Sequence, residues 1–92
     1  MITVSVAEYG REYAVEIIGH SEYAKRGEDI VCAGVTALAA ALNGFAEEDT
    51  VQMGDGYYYA VIDAKNALCV EMFSHGIQET ERMYPDYVEF NG

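Results

Sequence analysis

Positive charge is scarce in this sequence. Lys and Arg supply 5 of the 92 residues and Asp and Glu supply 16, so the net charge is −11 at neutral pH. A protein with this charge repels nucleic-acid phosphates, and direct binding to RNA or DNA is therefore not expected. The same charge attracts basic peptides, although in many small acidic proteins it serves solubility alone.

Long apolar runs are also missing. None reaches the roughly 18 residues that a membrane-spanning helix needs, so no membrane partner is expected. The chain begins with strand-like alternation and shows no charged-then-apolar leader. Its two cysteines, without an export signal, favour reduced thiols and a cytoplasmic location. With no repeat, low-complexity tract or linker, residues 1–92 are expected to form a single domain.

Few residues could ligate a metal ion. On a helix, Cys69 and His75 would point about 120° apart and could not readily share an ion. His20 and Cys32 alone are too few for a closed structural zinc site. The sequence also has no glycine-rich phosphate cradle or nucleotide fingerprint. Neither a metal nor a cofactor is expected.

Four segments have the pattern of strands. Ile2, Val4 and Val6 alternate with smaller or polar residues, and residues 13–18 continue as a second strand of a hairpin. Residues 50–53 and 57–62 predict a second hairpin around the Gly54-Asp55-Gly56 turn. Val88 and Phe90 are expected to add a short edge segment or to dock the tail.

Two segments have helical periodicity. From Ile30 to about Gly44 an apolar stripe is predicted at Val31, Val35, Leu38 and Leu42. Gly34 inside this helix predicts close packing against the sheet, a partner chain or a substrate. A second helix is predicted from about Lys65 to Met83, ending before Pro85. Its predicted inward residues are Leu68, Met72, Phe73, Gly76 and Ile77. The whole pattern predicts an α+β fold, a two-layer β-β-α-β-β-α arrangement with a mainly antiparallel sheet and both helices on one face.

The stretch from Gly19 to Gly34 carries the reactive side chains. His20 leaves the second strand, and Asp29 fits the N-cap position of the first helix, which places Cys32 in its first turn. A helix N-terminus stabilises a thiolate, and its N–H groups can bind an oxyanion. A His beside that thiol could take its proton and later protonate a leaving amine. Residues 21–28 have few apolar anchors, so this loop is expected to move when a peptide binds.

A structural role would produce the same residues. Free Cys is often buried as a small hydrophobe, and a lone His is often a loop residue with no chemical task. A redox-sensing thiol at Cys32 would be a third role for this stretch.

Two motifs stand out in this stretch, the Gly19-His20 pair and the run Gly27-Glu28-Asp29-Ile30-Val31-Cys32-Ala33-Gly34-Val35-Thr36-Ala37-Leu38. Both resemble the ribosomal-processing cysteine protease family, called Prp. The ending Tyr84-Pro85-Asp86-Tyr87-Val88 is similar to the family's ending.

The resemblance implies a cysteine endopeptidase that removes the N-terminal extension of a large-subunit ribosomal protein. It implies that His20 and Cys32 are the catalytic pair and that the protein is a homodimer. Supporting roles are expected at four positions: Gly19, Gly27, Asp29 and Thr36. Thr36 stands where the family commonly has Ser, and Glu28 or Asp29 could orient the imidazole. The alternative is a non-enzymatic ribosome-associated adaptor of the same fold, but the presence of both His20 and Cys32 favours the enzyme.

Overall fold

A five-stranded sheet and two α-helices make up the fold in the computed structural model, which describes residues 1–25 and 28–92. The elements in chain order are β1 (Ile2–Tyr9), β2 (Glu12–Gly19), α1 (Ile30–Asn43), β3 (Gln52–Gly54), β4 (Tyr57–Asp63), α2 (Ala67–Met83) and β5 (Val88–Asn91). Two single-turn 3₁₀ helices, Glu48–Thr50 and Ala64–Asn66, precede β3 and α2. The predicted α+β fold is confirmed.

The sheet is antiparallel apart from one edge. Its strand order is β3-β4-β2-β1-β5, and only the β1–β5 pair is parallel among the pairs of this sheet. Ile2 pairs with Gly19 at one end of the first hairpin, and Ile2 also pairs with Val88 of β5. The predicted edge segment at Val88 and Phe90 is therefore a strand, and β1 lies inside the sheet.

The core lies between the sheet and the two helices. Val4, Ile17 and Tyr58 form one row across β1, β2 and β4 on the inward face. The helices bury two sets of side chains against this face: Val31, Val35, Ala39 and Leu42 from α1, and Val70, Phe73 and Ile77 from α2. All of them belong to one hydrophobic cluster, so both helices pack on the same face of the sheet.

Some local predictions are wrong. Leu68 and Met72 were expected to face inward, but they are 78% and 68% exposed, because α2 turns Val70, Phe73 and Ile77 towards the sheet instead. Gly34 does not mark close packing, since a Cβ atom there would meet nothing within 4 Å. The close approach is at Gly76, where a Cβ atom would lie 3.0 Å from two carbons of Leu38. Thr50 ends a 3₁₀ helix and is not part of β3.

Candidate active site

An open groove of about 1270 Å³ runs between the end of β2, the start of α1 and the β3–β4 turn. His20 and Cys32 both line it, as do three of the four predicted supporting residues, Gly19, Asp29 and Thr36. The fourth, Gly27, lies outside the described residues. The fold thus places these side chains, which come from separate elements, along one groove.

Asp29 ties the two halves of the site together. It is the N-cap of α1, as predicted, and its Oδ1 accepts a hydrogen bond from the Cys32 N–H at 2.8 Å. Its Oδ2 accepts from the Ser21 hydroxyl and from the Tyr23 N–H, the latter at 3.1 Å. Ser21 is only 2% exposed. One carboxylate therefore fixes the segment directly after His20 to the helical turn that carries Cys32.

The ionised form of Asp29 is favoured by these contacts. Burial by itself would raise the pKa of the carboxyl, but hydrogen bonds from Ser21 and from the backbone N–H groups of Cys32, Ala24 and Tyr23 outweigh it. The pKa of Asp29 is therefore lowered from its ordinary value. A charged carboxylate at this helix N-terminus also interacts favourably with the helix dipole.

The main chain at His20 is held from two sides. Gly19 has φ +100°, and a Cβ atom there would collide with the Met1 carbonyl oxygen. The Gly19 N–H donates to the Gly56 carbonyl at 2.8 Å, and the Met1 amino group donates to the His20 carbonyl at 2.6 Å. The imidazole itself is half exposed and projects from this fixed backbone into the groove.

The β3–β4 turn supplies two contacts to the imidazole that the sequence did not predict. Gly56 has φ +70°, and a Cβ atom there would lie 2.7 Å from His20 Nε2. Asp55 Oδ1 lies 3.6 Å from the same nitrogen. The Gly54-Asp55-Gly56 motif was interpreted only as a hairpin turn, and no local signal shows that it meets His20.

The two carboxylates expected to orient His20 contact other groups in this structure. Glu28 pairs with Lys25, with 3.7 Å between Oε1 and Nζ, and the Glu28 N–H donates to the Lys25 carbonyl. Asp29 accepts hydrogen bonds from the Ser21 hydroxyl and from the N–H groups of Tyr23 and Cys32. Asp55 is the acidic side chain whose contact with the imidazole the structure shows.

Cys32 is half-buried and unpaired, as is Cys69 in α2. Its own N–H is held by Asp29 Oδ1, and the Ala33 N–H donates to the Asp29 carbonyl at 3.0 Å. These two N–H groups were among those expected to bind an oxyanion, and the N-cap occupies both in this structure. Thr36, one turn further along α1, is exposed on the groove side.

The sequence matches one known protein family over nearly its whole length. The family model for cysteine protease Prp matches residues 1–89. The chain belongs to the Prp family of cysteine proteases.

Solved structures have the same fold. SMU.848 from Streptococcus mutans is 30% identical, with a TM-score of 0.73, and the match covers 99% of this chain and 92% of that one. The essential ribosomal processing protease Prp from S. aureus, in complex with a covalently linked product peptide, has a TM-score of 0.82 at 24% identity, over 99% and 98% of the two chains. The same protease in complex with a substrate peptide has a TM-score of 0.74 at 23% identity, over 99% and 98%. No curated protein sequence matches this chain significantly.

The groove of this Prp-family chain continues along α1, away from His20. The helix side of its wall includes three small residues, Ala33, Ala37 and Ala40, and the opposite wall includes Met53 and Tyr57. At the far end the Tyr58 hydroxyl donates to Asn43 Oδ1 at 2.8 Å. Burial raises the pKa of Tyr58, which keeps this hydroxyl protonated as a donor. An open groove of about 1270 Å³ has room for a peptide segment.

Among residues 1–25 and 28–92, no His, Cys, Asp and Glu side chains gather in the group of three that a metal site would need. In the same part of the chain, no helix combines the length and the apolar character needed to cross a bilayer.

Proposed function

We propose that this chain is a single protease domain in which Cys32 is the nucleophile and His20 is the general base and acid. The observation that carries the proposal is their shared groove, in which Asp29 links the segment after His20 to the helical turn of Cys32. Membership in a cysteine protease family supports a thiol-dependent reaction. The supporting roles fall to Gly19, Asp29 and Thr36, and to Gly27 in the part of the chain that is not described.

The chemistry follows from these two side chains. The imidazole takes the thiol proton, and the sulfur attacks the scissile carbonyl carbon to form a tetrahedral intermediate. As the C–N bond breaks, the imidazolium returns the proton to the leaving amine and a thioester remains on Cys32. Water, deprotonated by the imidazole, then attacks the thioester, which releases the carboxylate product and the free thiol. The Cys32 N–H could bind the oxyanion only if Asp29 released it.

The proposed substrate is the basic N-terminal extension of a large-subunit ribosomal protein. Three acidic side chains, Glu22, Asp29 and Asp55, line the groove, and the whole chain carries a net charge of −11. These charges would attract a Lys-rich or Arg-rich segment. The fold match to a ribosomal processing protease crystallised with a substrate peptide adds to this argument.

We also propose a cytoplasmic homodimer that needs no metal or cofactor. Both cysteines are unpaired, as is usual for proteins of a reducing compartment. Leu68 and Met72 lie one helical turn apart on α2 and are mostly exposed, which gives the helix layer an apolar surface. In sedimentation, the wild type should be a dimer and Leu68→Glu should be a monomer. A monomeric wild type would contradict this assembly.

The deciding experiment incubates the protein with a precursor of the organism's own large-subunit ribosomal protein and follows intact mass. Wild type and Cys69→Ala should release one defined N-terminal fragment, and Cys32→Ala and His20→Ala should release none. Each variant should keep the circular dichroism spectrum of the wild type. Co-elution with the precursor without cleavage by any variant would instead identify the adaptor, and equal cleavage by Cys32→Ala would refute the proposed nucleophile.

A further inference from the structure

The turn between β3 and β4 forms a cradle for the imidazole of His20. Gly56 accepts a hydrogen bond from the Gly19 N–H at 2.8 Å, which holds the turn against the end of β2. The missing side chain of Gly56 leaves room for the ring, because a Cβ atom would approach Nε2 to 2.7 Å. Asp55 then presents Oδ1 to that nitrogen at 3.6 Å. One short turn thus holds the backbone of Gly19 and approaches the imidazole of His20 at two points.

The contacts distinguish the two nitrogens of the ring. A carboxylate only accepts hydrogen bonds, so a neutral imidazole can bond to Asp55 only if its proton is on Nε2. In that tautomer Nδ1 carries a free lone pair. The carboxylate beside Nε2 thus favours the proton on that nitrogen and leaves Nδ1 free to act as a base, as in the nucleophile–base–orienter arrangement of covalent catalysis.

We propose that Asp55 is a positioning residue that keeps the proton of His20 on Nε2 and so leaves Nδ1 as the nitrogen that takes the Cys32 proton. This inference rests on the proposed function only in its last step, the transfer from the thiol. At 3.6 Å the pair is in ion-pair range and longer than a formed hydrogen bond. Catalytic contacts are commonly long before substrate binds and shorten in the complex. A peptide in the groove would exclude water from the pair and strengthen it.

The exposure of both groups limits the expected effect. The side chains of His20 and Asp55 are 53% and 74% exposed, so water screens their attraction in the free protein. Removal of Asp55 should therefore lower kcat much less than removal of His20, the proposed base. We expect a decrease in kcat of about tenfold, against the roughly 10²–10⁴-fold that general acid–base catalysis provides, and a change in KM of less than about twofold.

The test compares Asp55→Ala with two other variants. Asp55→Glu keeps a carboxylate on an exposed turn, from which the longer side chain can reach Nε2, and should restore the activity. Asp49→Ala removes the same charge from a neighbouring exposed position that does not line the groove, and should behave as the wild type. The first readout is the ¹⁵N spectrum of His20 at alkaline pH, where the imidazole is neutral. The second is kcat and KM for peptide cleavage.

The two readouts separate this inference from the proposed function. The wild type and Asp55→Glu should show mainly the Nε2–H tautomer, and Asp55→Ala should show a mixture together with the loss in kcat. If Asp55→Ala keeps the wild-type tautomer and kcat while Cys32→Ala is inactive, the role of Asp55 is refuted and the protease stands. The third outcome is that the tautomer of Asp55→Ala shifts as expected while neither the wild type nor any variant cleaves peptides. In that case the orientation of His20 by Asp55 is supported and the proposed function is refuted.

Discussion

Gly56 contacts the imidazole of His20 through its backbone alone, so a single added methyl group should disturb the site. In Gly56→Ala, the Cβ atom would lie 2.7 Å from Nε2, and φ +70° would become a strained angle. We expect kcat/KM to fall at least about tenfold, because small displacements of catalytic groups cost much activity. The matched control is Gly10→Ala in the β1–β2 turn, with φ +59° and open space around its Cβ position. Both variants should lose roughly 1 kcal/mol of stability in urea denaturation, as for alanine at a positive φ. Equal activity in the two variants would mean that the ring does not depend on this contact.

Asp29 should make stability depend on pH at the acidic end. Its folded-state pKa is lower than its ordinary value of 3.8, so its stabilising contribution is complete above that pH and disappears as the pH falls through the folded-state pKa. Asp29→Ala should lower the free energy of unfolding by about 1–2 kcal/mol at neutral pH, as is typical for replacement of an N-cap residue by alanine. Urea midpoints of wild type and variant should converge as the pH falls below 3.8. A constant difference between pH 7 and pH 3 would show that the charge of Asp29 contributes nothing.

At the scale of elements, the two helices offer a comparison between two glycines. Gly34 lies in α1 with nothing near its Cβ position, whereas Gly76 in α2 faces two Leu38 carbons at 3.0 Å. Gly34→Ala should therefore raise the free energy of unfolding by roughly 0.5–1 kcal/mol, the difference between Gly and Ala inside a helix. In Gly76→Ala the same gain is offset by crowding, so we expect little or no stabilisation. Thermal unfolding of both variants measures the difference, and a larger gain at Gly76 would show that Leu38 moves freely.

The loop between β2 and α1 is anchored by the C-terminal segment. The ring of Tyr23 makes edge-to-face contacts with Tyr84 and Tyr87, at centroid distances of 5.5 and 5.2 Å. Tyr23→Ala should lose about 1–2 kcal/mol in total, since each such pair contributes about 0.5–1.5 kcal/mol and Tyr23 is 41% exposed. Hydrogen exchange at residues 21–25 should accelerate. Tyr9→Ala, which removes a 68% exposed ring at the end of β1, is the control and should leave exchange in the loop unchanged.

Sequence patterns predicted the elements better than the contacts between them. Strand alternation and helix stripes gave β1, β2, β4, α1 and α2 nearly at their observed bounds. The N-cap at Asp29 was also predicted, because its signal lies within one turn of chain. Leu68 and Met72 were assigned to the wrong face, because α2 has apolar residues on more than one face.

The contacts that complete the site are not local in the sequence. Asp55 lies 35 residues after His20, by subtraction of their positions, and meets it only because β4 pairs with β2. The loop was expected to have few anchors, and Tyr23 proves to be one only because β5 brings Tyr84 and Tyr87 beneath it. Such pairings depend on the register of the sheet, which no short motif specifies.

For the molecule as a whole, the charge of −11 should appear in the kinetics. An acidic enzyme attracts a basic substrate over a distance that screening limits to about 8 Å at physiological ionic strength. Cleavage of a basic peptide should therefore show a kcat/KM that falls several-fold between about 20 and 500 mM salt. Alkylation of Cys32 by neutral iodoacetamide is the control and should not change with salt. If kcat/KM is as independent of salt as the alkylation rate, the negative charge has no part in substrate capture.

The parallel pairing of β5 with β1 has a consequence for the time at which the protein becomes functional during its synthesis. The contact between Ile2 and Val88 joins positions at opposite ends of the described chain, which is among the costliest contacts for folding to form. While a ribosome still holds residues 84–91 in its exit tunnel, β1 has an open edge and Tyr23 has no aromatic partners. The loop between His20 and Cys32 therefore gains its full support only after the last strand has emerged. A nascent chain with His20 and Cys32 already outside the tunnel would still lack this support, and under the proposed function its cleavage activity should appear only after residues 84–91 have emerged.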